Sequence, residues 1–433
     1  MESVAIPESG AAEPAGTSPS RRSIIKGGAA ALAAATVSRP AILRAATPTI
    51  KIGHVSPLTG PMAGFAEAQG WTLAGIRKYA EKGLKIGDRI YQIEIIEKDS
   101  QTDESRTAEV ASELILKHKV DIITASSGSI DCNPVANQAE LNEIPCITTD
   151  NPWESYYYGR NPPKEGFEWT YHFFWGLDQV LAAFIGLWQE QQTNKVVGTL
   201  FNTAQDDTSW HDAFVPAIRK AGFTVVDPGQ FPAFGNDFTP QIAAFKKGNV
   251  EIVTGNLFTP DFATFYAQCA QQGYQPKIIT LGKAFLFPAD VASLGARGLG
   301  VTSEVWWTPD HPYKSSLTGV SSKQLAADYE RETGRHWTQP IPFKHALFEV
   351  VFDVLKRTKD VSDPKSILAA ITSTDIHTIV GPVKWTGQPV KNVCTTPVVA
   401  GQWQKHGDRL DIAIVNSGAF PEIGVTSKLL PLG

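Results

Sequence analysis

Several clusters of polar side chains are typed and spaced to hold a small molecule. Ser126-Ser127-Gly128-Ser129 follows an apolar stretch ending at Ala125 and precedes a helix expected to begin near Asn133-Pro134. Hydroxyls and free amides at a helix start meet the positive end of its dipole, which suits a carboxylate, although the same serines serve equally as a plain helix cap. Thr148-Thr149-Asp150-Asn151-Pro152-Trp153 ends the next apolar stretch and again sets polar tips beside an aromatic ring. Asp206 and Asp207 stand at a third such place, either as counter-charge for a ligand or as caps of a helix expected near Thr208. Asp207 and His211 share i,i+4 spacing and imitate two metal ligands. No third ligand accompanies them, so a surface or capped pair is expected, and no metal.

Signatures of catalysis are missing. The chain has no G-x-S-x-G elbow, no H-E-x-x-H and no P-loop, and its nearest glycine pattern, Gly295 to Gly300, precedes an expected strand rather than following one. An enzyme is therefore not expected, and neither is a nucleotide or other cofactor.

The elements that must position these clusters are short apolar strands alternating with helices, the pattern of parallel sheets covered by helices. Strands are expected at 49–55, 91–97, 120–125 and 144–149, forming one lobe. An aromatic connection at 169–175 leads to a second series, with a helix from Asp178 and strands at 195–201, 250–254 and 277–281. In 342–357, Ala346, Leu347, Val350, Val351, Val354 and Leu355 share one stripe at helical spacing, which predicts a core-facing helix. Strands return at 378–385, 397–404 and 410–415. In such folds solutes sit beyond the carboxyl ends of the strands, where the polar clusters fall.

Length and composition agree with two lobes. The 433 residues suffice for two cores, and 42% hydrophobic with 19% charged residues is an ordinary globular balance. Of the formal charge of -5, residues 1–46 hold five basic and three acidic side chains, which leaves -7 for the rest. An acidic chain of this kind is not expected to bind nucleic acid. Cys132, Cys146, Cys269 and Cys394 show no CxxC and no metal spacing, so buried free thiols, or at most one structural disulfide, are expected. Ser20-Arg21-Arg22-Ser23-Ile24-Ile25-Lys26, followed by an Ala/Gly-rich run too short to span a bilayer, reads as a twin-arginine export signal cleaved near Ala45 or Ala46. The expected location is the bacterial periplasm.

The stretch Ile50-Lys51-Ile52-Gly53-His54-Val55-Ser56-Pro57-Leu58-Thr59-Gly60-Pro61 closely resembles the first strand and loop of the leucine/isoleucine/valine-binding type of ABC-transporter solute receptor. Gly176-Leu177-Asp178, Gly381-Pro382-Val383-Lys384-Trp385 and Gln402-Trp403 fall where that family would place them, so the likeness spans 49–415. It implies a type I periplasmic binding fold: an α/β chain of two Rossmann-like lobes with parallel sheets, joined by hinge crossings near 173–176, 302–308 and 381–385. Lobe 1 would hold 47–174 and 303–383, lobe 2 175–302 and 384–425, with 426–433 as a tail.

Carried over residue by residue, the resemblance makes Ser129, in the loop with Ser127, the ligand-carboxylate serine. Asp150, Asn151 and Pro152 fall in a ligand-holding loop that is normally small or hydroxylated, and Phe65 and Phe258 stand at aromatic positions of the two lobes. One departure matters. Where amino-acid receptors place an acid for the ligand ammonium, this chain reads Gly282-Lys283-Ala284-Phe285, so Lys283 would suit an anion unless Asp206 or Asp207 supplies the counter-charge. Trp306-Trp307 at the second crossing, with Trp153, Phe65, Phe258 and Trp210, could wall an apolar cleft for a planar or hydrophobic carboxylate or a small amide. Equally, Phe65 and Phe258 could pack at the core edge and the two tryptophans at the hinge, where alternating strand residues face opposite ways and one of the pair could still reach a ligand. What the resemblance implies is a periplasmic receptor, acting as a monomer, that passes a small amino acid, organic acid or amide to an ABC permease and ATPase. A sensor using the same fold is the alternative.

Overall fold

The computed structural model describes residues 47–432; the expected export signal lies outside the described residues. In chain order the strands are β1 (Thr49–Ser56), β2 (Leu84–Ile86), β3 (Arg89–Asp99), β4 (Ile122–Ser126), β5 (Cys146–Thr149), β6 (Thr170–Phe173), β7 (Val196–Phe201), β8 (Thr224–Val226), β9 (Ile252–Leu257), β10 (Ile278–Lys283) and β11 (Thr302–Val305). β12 (Asp375–Thr378), β13 (Gly381–Lys384), β14 (Val393–Cys394), β15 (Val399–His406) and β16 (Arg409–Asn416) follow. Two seven-stranded sheets result, ordered β14-β6-β5-β4-β1-β3-β2 and β16-β15-β11-β10-β9-β7-β8. Both are parallel except where β2, β15 and β16 join. Every residue of β4 and of β9 is buried, as expected of central parallel strands covered on both faces.

Register brings the polar strand ends level. Ser126 pairs across from Thr149 where β4 meets β5, and Lys283 lies opposite Leu257, one place beyond the Gly282–Asn256 pair, where β10 meets β9. The helix Pro340–Arg357 lies in the core, with all six residues of the expected stripe fully buried. The four cysteines are free and buried.

Three crossings join the sheets, and the last differs from expectation. The chain leaves the first sheet after β6, returns after β11, and leaves again between Cys394 and Val399. The expected single strand at 378–385 is instead one arm of the β12–β13 hairpin. There Thr378 Oγ1 accepts from Val380 N and donates to the Gly381 carbonyl, and Gly381 takes a φ of 102°. β14 then pairs with β6. By sheet membership 302–305 therefore belongs with the second lobe and 393–394 with the first, which shifts the expected boundaries at 303 and 384. Two helices also start earlier than read from sequence, at Ser129, where Pro134 is accommodated inside the helix, and at Gln205.

Candidate functional site

Ser127, Asp150 and Lys283, all at carboxyl ends of strands, hold φ of 88°, 64° and 67°. Such left-handed backbone costs a side chain about 1–3 kcal/mol and persists only where neighbours over-determine it. Here the neighbours are ionic. In the first lobe Lys344, from the helix Pro340–Arg357, donates Nζ to Ser126 Oγ at 2.7 Å and Ser127 Oγ at 3.0 Å and lies 3.7 Å from Asp150 Oδ2. Lack of water pushes the Asp150 carboxyl up to about 7 against the pull of Lys344, and it lowers the Lys344 ammonium below the usual lysine range.

In the second lobe Lys283 Nζ donates to Asp206 Oδ2 at 2.8 Å and Asp207 Oδ2 at 3.2 Å, and lies 4.9 Å from the Phe258 ring centroid. Burial works against its charge, yet Asp206 and Asp207 hold it above the usual lysine range. Burial also pushes Asp207 up to about 7 despite Lys283, and Glu304 on β11 up to about 7 although Ser303 Oγ donates to it at 2.9 Å. Gly282 is required by close approach: a Cβ there would come within 2.8 Å of Asn256 Oδ1 and of the Trp210 ring.

Between these rims lies a cavity of about 40 Å³. Its aromatic wall is Phe65, Phe174, Trp175, Trp210 and Trp306; its polar wall is Asp150, Asn151, Asp206, Asn256, Lys283 and Glu304. Trp175 meets Trp210 edge-on at 6.0 Å, Phe174 meets Trp306 edge-on at 5.0 Å, and Phe65 stacks on Trp306 at 6.1 Å. The indole N–H groups of Trp175, Trp210 and Trp306 and Asn151 Nδ2 are buried without a hydrogen-bond partner, as are both Asp150 carboxylate oxygens and Asn256 Oδ1. An outer cavity of about 340 Å³ shares Met62, Gly128, Asp206 and Lys283 with the inner one. A larger groove of about 900 Å³, beside Arg335, His336 and Arg409, contains none of these residues.

Of the residues expected at the site, Phe65, Asp150, Asn151, Asp206, Trp210, Lys283 and Trp306 line the inner cavity. Ser129 and Phe258 line the outer one; Ser129 Oγ donates to Asn151 Oδ1 at 3.1 Å, and Phe258 stacks on Phe234 at 4.9 Å. Ser127 lies beneath, spent on Lys344. Trp153 packs behind the cavity against Gly176, where any Cβ would collide with its indole. Trp307 turns into the core, donating Nε1 to Ser322 Oγ at 3.1 Å and meeting Trp337 edge-on. Lys283 is not a free cation for an anion, because Asp206 and Asp207 answer it; nor do those aspartates cap the helix Gln205–Lys220, whose N-cap is Ala204. His211 pairs instead with Asp227 at 2.9 Å, and among the described residues no cluster of three His, Cys, Asp or Glu could hold a metal ion.

Sequence reasoning missed Phe174, Trp175, Asn256 and Glu304 in the wall and Lys344 beneath it. A lysine inside an apolar helix and a glutamate inside an apolar strand were the available signals.

The sequence profile described as "Periplasmic binding protein" matches residues 49–408. The chain belongs to that family. As a periplasmic binding protein it is 23% identical over 359 residues to Leu/Ile/Val-binding protein homolog 6 of Brucella suis, covering 82% of this chain and 87% of the relative. Its fold matches the leucine binding protein LivK of Thermotoga maritima with TM-score 0.69 at 18% identity, over 85% of this chain and 99% of that one. It also matches an ABC-transporter solute binding protein of R. palustris, solved in complex with 4-hydroxybenzoate, with TM-score 0.69 at 18% identity, over 85% and 96%. The two-sheet α/β fold described above is thus shared with these solved binding proteins.

Proposed function

We propose that this chain is the solute-binding subunit of an ABC importer. It captures a small amino acid, organic or aromatic acid, or amide between its lobes and delivers it unaltered to a membrane permease. The observation that carries this reading is the inner cavity, which is bounded by the carboxyl ends of strands from both sheets and by residues of two crossings, Trp175 and Trp306. A solute held there touches both lobes only when they are together, so binding shifts the chain toward a compact form. Relatives that carry leucine and 4-hydroxybenzoate in their names support a receptor of this type. Micromolar capture corresponds to about -8 kcal/mol, within reach of a few buried hydrogen bonds and apolar contact with the rings. The twin-arginine segment supports export to the periplasm, and the chain is expected to act there as a monomer. Small-angle scattering tests the mechanism: the radius of gyration should fall when a saturating solute is added, and a bound solute that leaves it unchanged overturns the reading.

A further inference from the structure

The inner cavity is small, and its unanswered groups are of both kinds. At about 40 Å³ it has room for roughly three water-sized groups, each needing about 10–15 Å³. Donors without partners stand at its wall on Trp175, Trp210, Trp306 and Asn151, and acceptors on Asp150 and Asn256. All six residues are more than nine-tenths buried. A buried polar group left unpaired costs about 1–3 kcal/mol, so the solute that fits must both accept and donate hydrogen bonds.

Charge narrows the choice. Lys283, the one lysine at this wall among the described residues, is already held by Asp206 and Asp207, and Lys344 answers Asp150 from behind. Glu304 adds a further carboxyl. A carboxylate solute would enter with no cation left for it. A zwitterion meets the same difficulty, and Ser129, the hydroxyl expected to receive its carboxylate, lies in the outer cavity with its proton on Asn151. An organic cation offers nothing to four unpaired N–H groups.

Resting on the receptor reading above, we propose that the solute is a small neutral amide of the acetamide or urea class. Its carbonyl oxygen, with two lone pairs, accepts from the Trp210 and Trp306 indole N–H groups, and its own N–H groups donate to Asp150 and Asn256.

The test is calorimetric titration and thermal unfolding of the full chain with submillimolar acetamide, urea, acetate, glycine, leucine, guanidinium and 4-hydroxybenzoate. Acetamide or urea should saturate and raise the melting temperature, while the acids, the amino acids and guanidinium should not. Trp306→Phe and Trp210→Phe keep a ring but remove an N–H, and each should weaken amide binding about tenfold while the free variant still unfolds cooperatively. Saturation by an acid, an amino acid or guanidinium alone, or by nothing in the series, overturns the amide class. Unchanged amide affinity in both variants overturns the assigned contacts. Scattering on whichever complex forms keeps the two readings apart, since a wrong solute that still compacts the chain leaves the receptor standing.

Discussion

The two rims of the cleft solve one electrostatic problem in opposite ways. In the first lobe the carboxylate of Asp150 faces the cavity and Lys344 lies behind it, both nearly sealed from water, with side-chain exposures of 0% and 1%. In the second lobe the lysine is at the wall, and Lys283 and Asp206 keep 14% and 24% of their side-chain surface. The sealed pair is long, 3.7 Å, and shares its ammonium with two serine hydroxyls; the wetter pair is short, 2.8 Å. Each lobe thus supplies the partners of its own lysine, with Glu304 adding a further carboxyl to the second rim, and the ion pairs at the cavity stay within one lobe. Contacts across the cleft include rings, Phe65 on Phe287 and Trp175 on Trp210, and Ser155 Oγ, which lies 3.4 Å from Asp206 Oδ1.

The largest expected effect comes from breaking the sealed pair. Lys344→Met strands the Asp150 carboxylate and should cost about 3–5 kcal/mol in denaturant unfolding, most of it recovered when Asp150→Asn is added. Lys283→Met should cost less, about 1–3 kcal/mol, because Asp206 reaches water; a larger loss there than in Lys344→Met would reverse the comparison. Glu304 supplies a pH test within the second rim. Burial lifts its pKa from 4.5 to about 7 on folding, so the folded chain holds that proton more tightly and loses stability as pH rises between those values. Glu304→Gln should therefore melt with the parent near pH 4.5 and about 2 °C above it at pH 8. An equal difference at both pH values would refute the shift. The smallest effect is expected from Ser129→Ala, under about threefold in affinity and under about 1 kcal/mol in stability, since its hydroxyl serves Asn151.

Most sheet-forming stretches were legible because buried parallel strands are nearly pure apolar runs, although β6 lies in the segment read as an aromatic connection and the three-residue strands β2 and β8 were not read. The stripe from Ala346 to Leu355 was legible because helical spacing repeats along one face. Loops that end strands were legible as places, which is why Asp150 and Asn151 were found, whereas Lys283 was found as a departure from the family's acidic position. Their partners were not. Lys344 acts across 194 positions of sequence on Asp150, and nothing local to either residue encodes that meeting. For Trp306 and Trp307, alternation along a strand already predicted that one ring would face the ligand side and the other not; the structure decides which, with Trp306 at the cavity and Trp307 in the core. The third crossing was misplaced because a hairpin around Gly381 and a two-residue strand at Val393 carry little signal in sequence.

Lysines paired within their own rims carry a kinetic consequence. With no unpaired lysine at the cavity wall among the described residues there is little field to steer an anion inward, and the approach of an uncharged solute is set by diffusion and by how often the lobes part. Capture rates should then stay level from dilute buffer to brine, a constancy that a charge-guided receptor could not keep.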